Sequence, residues 1–197
     1  MTANDPAAPA AAAAPVVAVR PVAVLVGAPG AGKTTIGQLV ADRLGVTLRD
    51  TDTDVEATFG MSVSDIFIEK GEEAFRAAER AAVAAALAEH PGILALGGGA
   101  VLADETRAAL AGHTVVYLEV DVSDAAHRVG LARDRPLLIE APRARLAALL
   151  RERRPLYAEV ATVVVDTAGR GPQEVADDVL AALPPVIGLR DRSSAGG

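Results

Sequence analysis

The chain is 197 residues long, with 51% hydrophobic residues, 23% charged residues and a formal net charge of -7. That length suits one domain with a sizeable core and is too short for two full ones. The acidic balance argues against a general nucleic-acid or membrane-surface binder. The absence of Cys excludes disulfides, thiolate metal sites and Cys nucleophiles together.

No apolar run approaches the length needed to span a bilayer. Ala occurs 43 times, and Arg 17 times against two Lys. Both biases fit GC-rich codon usage, so Ala richness is discounted as a structural signal. The scarcity of Lys gives Lys33 more weight.

Residues 1–19 are rich in Ala and Pro and lack the basic start of a signal peptide; the first basic residue is Arg20. They have too few large apolar groups to offset ordering entropy and read as a disordered tail. Residues 184–197 read the same way, which leaves a single domain over 20–183. Within it, Val22–Val26 is an apolar run stopped by Gly27 and Pro29, a buried strand. Lys33–Leu44 has helical spacing, and a short strand is predicted at Val46–Arg49. Glu72–Glu89 predicts a long helix, Ile93–Leu96 a strand ended by three glycines, and Asp104–Ala111 a helix. Thr114–Val120 is a strand. Ser123–Leu131 and Arg143–Arg153 are helices flanking an Arg-rich connection. A strand at Val163–Val165 and a helix at Pro172–Leu183 complete the domain. This alternation implies an α/β fold with a five-stranded parallel sheet covered on both faces. Ligands then sit beyond the carboxyl ends of the strands.

Gly27-Ala28-Pro29-Gly30-Ala31-Gly32-Lys33-Thr34 fits G-x-x-x-x-G-K-[ST], between a predicted strand and a predicted helix. Backbone N–H groups at Gly30, Ala31 and Gly32 and the helix N-terminus suit a phosphate. Lys33 reaches the β- and γ-phosphates, and the Thr34 hydroxyl takes a place on Mg²⁺. A chance match at this chain's residue frequencies is roughly one in a thousand. The motif alone does not separate a kinase from a GTPase switch or a motor.

Asp50-Thr51-Asp52-Thr53-Asp54 follows the second strand. A helix N-terminus explains one of these Asp well and three poorly. Carboxylates here could hold a Mg²⁺-bound water or orient an attacking hydroxyl. Arg76, with Glu72 and Glu79 nearby, reads by itself as a solvated helix face carrying Glu–Arg pairs. Gly97-Gly98-Gly99 suggests close backbone approach to something. Arg133 and Arg135 lie in a Pro-containing loop that reads as a cover bringing positive charge to a phosphate, or as a plain solvated loop. Arg151, Arg153 and Arg154 read first as cations at a helix C-terminus before Pro155. The three His show no metal spacing.

These pieces together resemble the shikimate kinases. The matching stretches are G-A-P-G-A-G-K-T-T-I-G at 27–37, D-T-D at 50–52, S-D-I-F at 64–67 and G-E-E-A-F-R-A-A-E at 71–79. They continue with L-G-G-G-A-V at 96–101, R-P-L-L at 135–138 and R-R-P-L-Y at 153–157. The resemblance implies a P-loop fold with strand order 2-3-1-4-5, a substrate-binding segment after strand two and a mobile lid over about 131–142. It implies phosphoryl transfer from ATP to the 3-hydroxyl of shikimate, with Mg²⁺, on the route to chorismate. Lys33, Thr34 and Thr35 would hold ATP phosphates, with Thr34, and Asp50 through water, on the metal. Asp52 would hold the shikimate hydroxyls and serve as base, and Arg76 and Arg153 would clamp its carboxylate. Gly97, Gly98 and Gly99 would offer backbone contact to the ring. Arg135 would swing in from the lid, and Arg128 and Arg170 would flank adenine. ATP and shikimate are the expected partners, with no nucleic acid or membrane, for a cytoplasmic monomer. Asp54 beside Asp52 and Arg154 beside Arg153 leave room for a slip in both assignments.

Two other readings compete. A gluconate kinase would share the phosphate loop and fold, but gives no reason for Arg76 and Arg153 with the triple glycine. A regulatory GTP binder would usually carry an N-K-x-D-like stretch, which Lys at only 33 and 70 forbids.

Overall fold

In the computed structural model, residues 19–131 and 142–184 are described. The expectations placed on the Ala/Pro tail, on the 132–141 connection with Arg133 and Arg135, and on the C-terminal tail from 185 lie outside them.

The first apolar run forms strand β1, Ala23–Val26, buried at every position. It lies at the centre of a sheet because it has no polar side chain to offer solvent. Around it run β2 (Leu48–Asp50), β3 (Ile93–Ala95), β4 (Val115–Glu119) and β5 (Val163–Asp166), in order β2-β3-β1-β4-β5. All pairings are parallel, with Leu25 level with Ala95 on one side and Val116 on the other. Parallel neighbours need crossover helices, and these cover both faces. Helix α1 (Lys33–Leu44) packs against α8 (Pro172–Ala182). Elsewhere α4 (Gly71–Glu89) meets α5 (Asp104–Leu110), and α6 (Val122–Leu131) meets α7 (Pro142–Val160). A second, smaller core of Val55, Ile66 and Phe75 holds α2 (Thr51–Phe59) and α3 (Val63–Glu69) onto α4. Among the described residues no helix is long and apolar enough to cross a membrane.

Three local differences from the sequence reading have physical causes. Strand β2 begins at Leu48, not Val46. Gly45 ends α1 in a left-handed conformation (φ 67°), and the Val46 N–H returns to the Ala41 carbonyl. Val46 therefore belongs to the helix cap. Helices α2 and α3 are short; the sequence predicts only a helix start at Asp50–Asp54 for the first and no helix for the second. Asp50 does cap α2, accepting the Asp52 N–H, and Ser62 caps α3 by accepting the Asp65 N–H.

The third difference matters for the site. The sequence predicts a helix ending at Arg153, ahead of Pro155. Helix α7 instead runs through Pro155 to Val160. A proline there removes one hydrogen bond and crowds the preceding turn. Tertiary contacts hold the following turn: Tyr157 is fully buried and its ring stacks on Tyr117 of β4, centroids 5.2 Å apart. Arg153 and Tyr157 thus stay four residues apart on one helix face.

Candidate active site

The phosphate loop leaves β1 and enters α1 at Gly32, which takes a left-handed φ of 89°. That conformation is cheap only for glycine, and it turns the loop so that α1 begins at Lys33. The Lys33 ammonium folds back and donates to the carbonyls of Gly27 (2.8 Å) and Ala28 (3.2 Å). Thr34 and Thr35 are exposed. With Gln38, Leu39, Pro172 and Gln173 they line an open groove between α1 and α8.

Thr34 and Asp50 meet across the sheet edge. The Thr34 hydroxyl donates to Asp50 Oδ2 at 2.8 Å, while Asp50 Oδ1 accepts the Asp52 N–H at 3.0 Å. One carboxylate therefore caps α2 and stands beside the phosphate loop. Hydroxyl and carboxylate oxygens are hard donors that suit Mg²⁺, which keeps several waters and takes few protein ligands. Asp54 faces elsewhere and pairs with Arg49 at 2.7 Å.

The triple glycine lies at the middle of the site. None of the three has a positive φ, so backbone conformation does not require them. Space does. A Cβ on Gly97 would run into Asp52 Oδ1 and lie 2.7 Å from Glu79 Oε1. One on Gly98 would lie 2.9 Å from Pro29 Cδ of the phosphate loop, and one on Gly99 would overlap the Arg76 guanidinium. The segment is the surface against which three site groups rest.

Arg76 donates to Glu79 at 2.6 Å and to Glu72 at 3.2 Å. Its guanidinium lies 5.2 Å from the Phe75 ring centroid and 5.8 Å from that of Phe67. The Glu–Arg pairs are therefore present, but the face is solvated only in part: Glu72 is exposed, whereas Glu79 is only 3% exposed. Burial pushes the Glu79 carboxyl above its ordinary range, against the opposing pull of Arg76. The sequence held the signal. Phe75, Glu79, Val83 and Leu87 fall on one stripe, and all are buried.

Arg153 donates from Nη1 to the Gly98 carbonyl at 3.0 Å. Its Nε is buried, with no hydrogen-bond partner among the described residues. Arg154 points away and pairs with Glu119 at 3.1 Å. Arg128 donates to the Thr167 carbonyl (2.8 Å) and reaches the Gly30 carbonyl of the phosphate loop (3.4 Å). Arg170 sits on the same turn, held by Asp178 at 2.7 Å and the Asp166 carbonyl at 3.1 Å. The described residues thus bring together the phosphate loop, Asp50, Asp52, Gly97–Gly99, Arg76 and Arg153. Arg128 and Arg170 frame the adjoining β5–α8 turn, and Arg135 lies outside the described residues. Sequence reasoning missed Thr51 and Tyr157 as site supports; Tyr157, one helical turn past Arg153, was legible only as part of R-R-P-L-Y.

The family model described as Shikimate kinase matches residues 29–184. A shikimate kinase of Frankia casuarinae is 71% identical over 164 residues, covering 83% of this chain and 73% of that protein. One from Thermobifida fusca is 61% identical over 165 residues, covering 84% and 96%. The solved structure of shikimate kinase from Acinetobacter baumannii in complex with shikimate superposes with a TM-score of 0.78 at 35% identity, covering 82% of this chain and 91% of that one. With the sheet order and the site geometry, these matches lead to one conclusion: the chain belongs to the shikimate kinase family.

Proposed function

We propose that this chain transfers the γ-phosphoryl group of ATP to the 3-hydroxyl of shikimate, releasing ADP and shikimate 3-phosphate. The observation that carries the reading is the Gly97–Gly99 segment, packed against the phosphate loop through Pro29, against Asp52 and against Arg76. Phosphate donor and hydroxyl acceptor would meet along it. The Arg153 Nε adds support, because a buried guanidinium N–H without an acceptor suits a ligand that brings one. Arg76 and Arg153 would hold the substrate carboxylate with charge-assisted hydrogen bonds. Asp52 would hold the hydroxyl and accept its proton as the oxygen attacks the γ-phosphorus and the bond to the β-phosphate oxygen breaks. Lys33 would leave its two carbonyl partners for the phosphates, where it offsets developing charge. Arg128 and Arg170 would flank adenine, with Thr35 on the phosphates. Arg135 would add a further cation from the lid.

Thr34 and, through water, Asp50 would hold Mg²⁺, which when bound neutralises phosphate charge. The chain would work as a cytoplasmic monomer on small-molecule substrates.

A coupled ADP-release assay over a panel of polyol acids, with and without Mg²⁺, tests the reading. Shikimate should stand out by orders of magnitude, and only with the metal. Equal rates across the panel, or a preference for gluconate, would overturn it.

A further inference from the structure

The Gly97–Gly98 strip does not hold itself in place. The Gly97 N–H donates to Thr51 Oγ1 at 3.0 Å. At the other end the Gly98 carbonyl accepts the Tyr157 hydroxyl at 2.6 Å and Arg153 Nη1 at 3.0 Å. Thr51 and Tyr157 are both fully buried, so neither can touch a substrate. Yet each stands beside a residue that would. Thr51 precedes Asp52 in the chain, and Tyr157 lies one helical turn beyond Arg153. The Tyr157 ring is fixed to the sheet by its stack on Tyr117.

We propose that Thr51 and Tyr157 are positioning residues that pin the Gly97–Gly98 peptide from opposite ends and so set the spacing between Asp52 and Arg153 for the acceptor substrate. The proposal rests on the function given above. Tyr157 has a second effect through the shared acceptor. Its hydroxyl occupies the Gly98 carbonyl at a short distance, which leaves Arg153 a weaker claim on the same oxygen. Without the hydroxyl, the carbonyl would hold Arg153 more firmly and compete with the substrate carboxylate for it. Burial pushes the Tyr157 phenol up to about 12, so it remains a donor throughout the working pH range.

The plain alternative is that both groups only satisfy buried polar atoms of the core. Steady-state kinetics of the full chain separate the two. Tyr157→Phe keeps the ring and its stack and removes one oxygen. It should raise the shikimate KM roughly three- to tenfold, as the loss of a net hydrogen bond predicts. The ATP KM and kcat should stay within about twofold. In an Arg153→Ala background the same substitution should add almost nothing. Thr51→Val should raise the shikimate KM as well, and Thr51→Ser, which keeps the acceptor oxygen, should restore it. Equal changes in both substrates' KM, an unchanged shikimate KM, additivity with Arg153→Ala, or a Tyr157→Phe chain that fails to fold would each overturn the assignment. Wild-type turnover of shikimate alongside such a result sinks this inference alone. A wild type inactive on shikimate sinks the functional reading as well.

Discussion

The Arg76 guanidinium occupies the space where a side chain on Gly99 would begin. The two residues lie on different elements and are paired by shape, with no hydrogen bond between them. Gly99→Ala should therefore push the guanidinium aside without unfolding the chain, because the end of an Arg side chain can move. The expected result is a shikimate KM raised roughly tenfold, the equivalent of one misplaced charge-assisted hydrogen bond, with thermal stability nearly unchanged. Initial rates and a melting curve check both halves. A large loss of melting temperature with unchanged KM would mean the glycine serves the backbone.

Lys33→Ala should abolish most turnover and leave the fold intact. The ammonium donates to the Gly27 and Ala28 carbonyls, backbone groups of the phosphate loop itself, and the Lys33 side chain is not part of the apolar core. A fall in kcat of roughly 10²–10³ is expected, by analogy with deleting one preorganised donor. Turnover like wild type would remove the phosphate-loop assignment.

Asp52→Asn and Asp54→Asn form a pair. Asp52 lies against Gly97 at the site, whereas Asp54 is engaged by Arg49. Loss of a general base costs about 10²–10⁴ in kcat, so Asp52→Asn should fall in that range with ATP affinity spared. Asp54→Asn should be mild. The reverse order in a kcat comparison would mean that the base has been misplaced.

Arg76→Ala and Arg153→Ala should each raise the shikimate KM about tenfold to a hundredfold. Arg154→Ala, whose guanidinium pairs with Glu119 instead of the Gly98 carbonyl, is the control and should be nearly silent. An analogue with a primary alcohol in place of the carboxylate should lose as much on the wild type and almost nothing more on the double Arg variant. Additive losses would argue against a carboxylate clamp.

Glu79→Gln tests the buried carboxylate by pH. Burial raises its folded-state pKa above the unfolded value near 4.5. The folded chain then binds the proton more tightly, so the stabilising contribution is complete below that value and is lost as pH rises through the folded pKa. The melting temperature of Glu79→Gln relative to wild type should therefore climb as pH rises above about 4.5. The same variant weakens the 2.6 Å contact that steadies Arg76 and should raise the shikimate KM about tenfold. A stability difference flat from pH 4 to 8 would show that the carboxyl titrates normally.

Much of this protein was legible in its sequence. The five strands, their parallel arrangement, the phosphate loop and α1 all follow from short-range patterns, whereas the strand order came only from the family resemblance. An apolar run such as Val22–Val26 must be buried whatever surrounds it, and G-x-x-x-x-G-K-T closes its own turn. Thr34 and Asp50 were each expected near Mg²⁺, Thr34 from the motif and Asp50 only from the resemblance, and their direct hydrogen bond was not anticipated. Less local features were harder to read. Glu79 looked solvated because charge is a strong local signal, although its place on the stripe of Phe75, Val83 and Leu87 pointed inward.

Tertiary structure decided three things. It carried α7 through Pro155, because the stack of Tyr157 on Tyr117 and the bond to the Gly98 carbonyl outweigh one missing N–H. It separated Arg153 from Arg154 and Asp52 from Asp54, sending one of each pair to the glycine segment and the other to an ion pair. It also explained the triple glycine, whose Cβ positions are taken by Asp52, Pro29 and Arg76 from three different elements. Local pattern is written into neighbours along the chain, and a parallel sheet with long crossovers brings its site together from residues about 100 positions apart, where sequence alone holds no distance.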